Sequence, residues 1–207
     1  MRPLTVLIFC LVALNAFGQN NELSPEEQAR FDQILADYSH LQVAKVHRGL
    51  GQLISDYPHL NHALPVARFA KNLVDIGKPA PSLDSVQWIQ GAPAPAKLSV
   101  LVFWTPDCPH CLEDLPHSQE LSCQFNDQDV QFIGLTPNDT TEIKAKIADS
   151  LRSSATSFPA GVVPEEWKTR WDLSRLPLAL LVRDGRIVWR GHPLWISAET
   201  LEAALDY

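Results

Sequence analysis

The sequence has no second Cys-x-x-Cys, no apolar run long enough for a comfortable membrane crossing, no internal repeat and no low-complexity tract. Cysteine is scarce: there are four in 207 residues, and Cys10 lies within the apolar N-terminal run. Without Cys10 the count is odd, which does not fit a structural disulfide framework. With one Cys-x-x-Cys and only His117 as a further ligand type close by, a zinc site is short of ligands. Positive charge is also sparse, with 17 Lys and Arg against 24 Asp and Glu and a formal charge of −7. That balance argues against a nucleic-acid-binding surface.

What is present begins with an export pattern. Arg2 gives a thin positive start, residues 4–14 are apolar, and Ala16-Phe17-Gly18 places small residues before Gln19. Residues 1–18 therefore read as a signal peptide, with an uncleaved membrane anchor as the alternative. Export implies an oxidising, periplasmic or otherwise extracytoplasmic setting.

Residues 19–76 read as a helical region. Ser24-Pro25-Glu26-Glu27 forms a capping-box start, and Phe31, Ile34, Leu35 and Tyr38 recur at helical spacing. A second helical pattern spans about 41–57 and ends at Pro58. A third spans about 61–76, with Gly77 suited to its C-cap. His40 with His47, and His59 with His62, are spaced as ligands could be. Without nearby cysteines or clustered carboxylates, surface histidines are the simpler account.

The chemistry centres on residues 100–111, Val-Leu-Val-Phe-Trp-Thr-Pro-Asp-Cys-Pro-His-Cys. The apolar, β-branched run reads as a buried strand. Thr105 and Pro106 end it, and a helix begins near Cys108. Cysteines at i and i+3 in a first helical turn lie within disulfide range. Unpaired N–H groups and the helix dipole favour a thiolate at Cys108, the expected attacking sulfur. Cys111, one turn deeper, is placed to resolve a mixed disulfide. His110 can stabilise the thiolate when protonated, whereas Asp107 should oppose it.

Further along, residues 82–89 suggest a short edge strand and residues 130–135 a second buried strand. Residues 139–151 read as a helix with Asp139 as cap. Residues 158–163 read as an irregular link, and 164–171 as a short helix carrying Trp167 and Trp171 into the core. In the helix from 109 to 125, Pro116 should remove one hydrogen bond and kink the helix. Its Leu112, Leu115 and Cys123 fall near one face, which makes Cys123 an expected buried, inert residue. Pro177 opens an apolar strand over 178–182, Asp184-Gly185 is a hairpin turn, and Ser197 caps a last helix.

Phe103-Trp104 followed by Cys108-Pro109-His110-Cys111 resembles the active site of the thioredoxin superfamily. Asp114-Leu115-Pro116, Gly77-Lys78-Pro79-Ala80-Pro81 and Leu176-Pro177 with its following strand resemble exported TlpA/ResA-type thiol–disulfide oxidoreductases. The resemblance covers residues 77–207. It implies an α/β thioredoxin-like fold, a central mixed sheet flanked by helices, here with an N-terminal helical appendage. It also implies a Cys108–Cys111 disulfide and proton transfer by Asp114. A cis Pro177 with Leu176 would dock the substrate backbone, with Trp104 and Pro109 beside them. No cofactor or metal is implied. The expected partners are protein thiols or disulfides and a membrane-borne redox partner.

Two departures bear on poise and substrate choice: Leu178 follows the proline where threonine is usual, and Asp107 precedes the first cysteine where tryptophan is usual. The surrounding family implies a reductant, whereas the Cys-Pro-His-Cys tetrapeptide resembles DsbA, an oxidant. A peroxiredoxin-like reading of Thr105-Pro106-Asp107-Cys108 is weakened by Leu101, where a proline is expected. A copper-holding adaptor would use Cys108 and Cys111 with His110, His117 or His192.

Overall fold

A computed structural model describes residues 23–138 and 140–207, so the expected signal segment and Asp139 lie outside the described residues. The described residues open with three α-helices: α1 (Pro25–Ser39), α2 (Val43–Asp56) and α3 (Leu64–Leu73). The capping box forms as the sequence predicts. Ser24 Oγ accepts from the Glu27 N–H, and the Glu27 carboxylate accepts the Ser24 N–H at 2.8 Å. A 3₁₀ turn over Pro58–His62 occupies what the sequence reads as the start of the third helix.

Six strands then make one sheet: β1 (Gln87–Gln90), β2 (Leu98–Phe103), β3 (Val130–Thr136), β4 (Ala160–Val162), β5 (Leu178–Arg183) and β6 (Arg186–Gly191). Their order is β1-β4-β3-β2-β5-β6. β2 runs parallel to β3 and antiparallel to β5, so it is paired on both sides. The helices are α4 (Pro109–Gln124), α5 (Thr141–Ser153), α6 (Trp167–Arg170) and α7 (Ala198–Asp206).

Strand alternation divides the core between the two faces of the sheet. Leu98, Val100, Val102 and Trp104 join α1–α3, α4, α5 and α7 in one cluster. Leu101 and Phe103 join Trp167, Trp171, Leu178 and Ile187 in the other. Both tryptophans of the α6 region are buried, as expected.

Three local expectations need correction. The segment expected as an irregular link contains β4. Its three residues are too few to show a period, and Gly161 masks its strand character. A Cβ at Gly161 would lie 2.8 Å from the Gln87 carbonyl oxygen, so the close β1–β4 approach excludes a side chain there. The cap of α5 is Thr140, whose hydroxyl accepts from the Ile143 N–H. Cys123 is exposed, not buried. The inner face of α4 is set by Cys111, Asp114, Leu115, Ser118 and Leu121, and Cys123 sits well around the helix from them.

β6 is the sheet's edge, and an open edge exposes unpaired backbone groups. Here the chain covers it. Gly77 N–H donates to the Ile187 carbonyl at 2.7 Å, and Ile187 N–H donates to the Lys78 carbonyl at 3.0 Å. Further along, the buried Tyr38 hydroxyl donates to the Arg190 carbonyl (2.9 Å) and accepts the Arg190 N–H (3.0 Å). Tyr38 also stacks on Trp189 and meets Phe69 edge-on. Arg190 pairs with Asp75 and donates to the Trp171 carbonyl. The helical region is thus joined to the sheet by apolar packing and by its edge hydrogen bonds.

Tyr38→Phe keeps the ring but orphans the Arg190 N–H and C=O, which costs on the order of 1–3 kcal/mol. Urea unfolding should show that loss. A stability unchanged from wild type would mean that water replaces the hydroxyl and that the edge does not need it.

Candidate active site

β2 ends at Phe103, and the Trp104 N–H still bonds the Leu135 carbonyl at 3.0 Å. The chain then turns, with the Cys108 N–H donating to the Thr105 carbonyl. Cys108 is the N-cap of α4 and Pro109 its first helical residue, where the missing proline N–H costs nothing. Cys108 Sγ occupies the place of a capping oxygen and accepts the Cys111 N–H at 3.2 Å. The two cysteines form a disulfide, with Cα atoms 5.3 Å apart. They differ in access: Cys108 is half-buried, and Cys111 is 1% exposed. An attacking thiol therefore reaches Cys108, and in the reduced state the Cys111 N–H and the start of α4 favour a Cys108 thiolate.

The Leu176–Pro177 peptide is cis, as the family resemblance implies. The Leu176 carbonyl oxygen lies 3.9 Å from Cys108 Sγ. A disulfide sulfur carries no proton, so this is a contact and not a hydrogen bond. The β2–β5 register produces the approach: Phe103 faces Leu178 across the ladder, so the residues just beyond each meet at the same end of the sheet.

The charges around the pair differ from the simple sequence reading. Asp107 does not face Cys108 as an unpaired carboxylate. Lys146 of α5 binds it at 3.2 Å and Glu142 at 3.1 Å. The hydrogen bonds Lys146 donates to Glu142 and to Asp107 raise its pKa, so the ammonium persists and offsets the Asp107 charge. His110 is largely exposed, and its Nδ1 lies 3.2 Å from the Glu113 carboxylate.

Asp114 follows Cys111 by one helical turn on the buried face of α4 and is 7% exposed. Burial raises its pKa, and His192 works against that shift more than any other group. His192 Nε2 is 3.5 Å from Asp114 Oδ2, but Oδ2 has no aligned hydrogen bond. Because His192 Nδ1 accepts the Leu194 N–H, a neutral ring carries its proton on Nε2, toward Asp114. His117 is held differently, with Nε2 at 2.9 Å from the Ile196 carbonyl oxygen.

The structure brings Cys108, Cys111, Leu176 and Pro177 together, with Asp114 behind them. Pro109 and His110 lie exposed at the helix start. Trp104 is 0% exposed and packs against Gly134, so its side chain supports the site from below and presents no surface to a substrate. Sequence reasoning did not place His192 beside Asp114 or Lys146 beside Asp107, since neither pairing is local. Among the described residues no group of three or more His, Cys, Asp or Glu side chains could hold a metal ion. No described helix is long and apolar enough to cross a membrane.

The sheet order, the cis proline and the cysteine that caps the following helix define a thioredoxin-like fold carrying a redox-capable dithiol. No family model matches the chain. The protein FixW of Rhizobium leguminosarum is 25% identical over an alignment of 149 residues that covers 64% of this chain and 67% of FixW. A crystal structure of a Chlorobium tepidum protein, described as the thiol:disulfide interchange protein DsbE, superposes with a TM-score of 0.50 at 18% identity. That match covers 63% of this chain and 98% of the other. A thioredoxin-like protein solved in solution in its oxidised form gives 0.51 at 14% identity, covering 64% and 97%. These likenesses establish the α/β thioredoxin-like fold, and each leaves more than a third of this chain outside it.

The raised pKa of Asp114 has a direct consequence for stability. The folded chain holds this proton more tightly than the unfolded chain, so the group's contribution is full in acid and declines as pH rises through and above the ordinary aspartate range. Asp114→Asn cannot ionise. Its stability relative to wild type should therefore rise between about pH 3 and pH 7. Denaturation across that range tests this, and a difference that does not change with pH would contradict a raised pKa.

Proposed function

We propose that the protein is a thiol–disulfide oxidoreductase acting on protein partners through Cys108 and Cys111. The observation that carries the reading is the asymmetric pair: an accessible sulfur capping α4, a buried sulfur one turn on, and the Leu176–Pro177 segment against the first. In the reducing direction, the Cys108 thiolate attacks a partner disulfide and displaces one partner thiolate, which takes up a proton. Asp114 accepts the Cys111 proton. The Cys111 thiolate then attacks Cys108 Sγ, forms the internal disulfide and releases the second partner thiolate. Two electrons pass to the partner, and the reverse sequence oxidises one.

Leu176 and Pro177 supply the docking surface, Pro109 borders it, and His110 tunes the thiolate from the exposed side. We assign residues 77–207 to the thioredoxin-like domain and 19–76 to a helical region, whose helices α1–α3 pack on it. The reducing direction fits the TlpA/ResA-like resemblance. The N-terminal pattern supports export, with electrons supplied by a membrane-borne partner.

Insulin reduction in the presence of dithiothreitol checks the assignment. Cys108→Ser should lose turnover altogether. Cys111→Ser should accumulate a mixed disulfide visible by mass spectrometry, and Asp114→Asn should slow turnover on the order of 100-fold. A mixed disulfide through Cys111 in the Cys108→Ser protein, with none through Cys108, would reverse the roles.

A further inference from the structure

A cavity of about 470 Å³ opens between the helical region and the Pro177 side of the sheet. Phe31, Leu35 and Phe69 from α1 and α3 form one wall, and Pro177, Leu178 and Trp195 form the other. Pockets of this size accept ligands of several large side chains' bulk. Trp195 is 55% exposed although it is large and apolar. Pro177, in the second wall, is the residue next to Leu176, whose carbonyl touches Cys108 Sγ, so the cavity adjoins the segment that lies against the disulfide, with α1 and α3 across from it.

The charges at its rim are unbalanced. Arg190 is committed to Asp75 and Lys71 to Asp172, at 3.7 Å for the latter. Asp172 is held ionised chiefly by the Ser174 hydroxyl. His192 faces Asp114. Arg68 and Arg175 are exposed and, among the described residues, have no carboxylate within ion-pair distance. On a chain of net charge −7, this is a local excess of cation above an apolar floor. A buried floor with two uncommitted guanidinium groups fits an apolar side chain flanked by carboxylates.

We propose that this cavity is a specificity pocket for the partner polypeptide, taking an aromatic or large aliphatic side chain with acidic neighbours close in sequence to the partner's reactive cysteine. The inference rests on the oxidoreductase reading for its occupant and goes beyond it in assigning substrate selection to α1 and α3. The site would favour acidic, apolar segments over basic ones and would leave small thiols undiscriminated.

Three peptides test it, each with one cysteine: one with phenylalanine and two glutamates nearby, one with phenylalanine and two lysines, and one with alanine and two glutamates. Their rates of reduction of the oxidised protein are measured, together with calorimetric binding of the same peptides carrying serine for cysteine. The acidic aromatic peptide should react about fivefold or more faster than the basic one, the scale of two exposed charge pairs. Combining Arg68→Glu with Arg175→Glu should invert that ratio, and Trp195→Ala should erase the advantage of phenylalanine over alanine. Equal rates for all three peptides in wild type and variants would overturn the pocket while leaving the oxidoreductase reading in place. If no peptide exchanges, that reading fails and the serine peptides decide the pocket alone: preferential binding of the acidic aromatic one supports it, and equal or absent binding overturns it. Tight binding of a small aromatic carboxylate that excludes every peptide would instead make this a small-molecule site.

Discussion

The register of β2 against β5 is the constraint on which the site depends. Leu98 opposite Arg183 at one end fixes Phe103 opposite Leu178 at the other. Beyond Phe103 the chain leaves the sheet toward Cys108, and just before Leu178 lies the cis Leu176–Pro177 peptide. Both segments therefore leave the same end of the same strand pair, and the Leu176 carbonyl meets Cys108 Sγ. A slip of one residue would invert the facing of β2 and move Trp104 out of its cluster. Both faces of β2 are packed in apolar clusters, so that slip would require both to repack.

A second constraint is the outer edge of β6. Residues 77–80 and the Tyr38 hydroxyl occupy its backbone groups. This closure brings α1 and α3 alongside the segment that carries Pro177 and His192. A structural need, covering an edge, thereby builds one wall of the cavity beside the reactive sulfur. The end of the same strand places His192 next to the buried Asp114, so the carboxylate behind Cys111 faces an imidazole.

The local features of the fold were legible in the sequence. The buried strand before Cys108, the capping box at Ser24, the Asp184-Gly185 turn and the position of Pro177 rest on short-range patterns, and the structure contains each of them. What the sequence does not show is which distant groups meet. Tyr38 and Arg190 are 152 residues apart, and no periodicity links them. Lys146 on α5 pairs with Asp107, 39 residues away, so the expected electrostatic penalty on Cys108 is offset by a non-local partner. Leu112, Leu115 and Cys123 fall near one face by spacing, but the buried face is set by Cys111, Asp114, Leu115, Ser118 and Leu121, which leaves Cys123 outside it. Trp104, grouped with the docking residues through the family resemblance, ends the buried strand and is turned inward, away from any substrate.

The account stands on a reversible dithiol in which one sulfur is accessible and the other is held behind it. The most direct measurement is a redox titration in glutathione buffers, with the Cys108–Cys111 disulfide quantified by alkylation and mass spectrometry. The account predicts a single two-electron transition, with a potential below about −200 mV for the reducing role, and faster alkylation of Cys108 than of Cys111 in the reduced protein. A pair that forms no internal disulfide at any poise, or in which Cys111 is alkylated first, would contradict it.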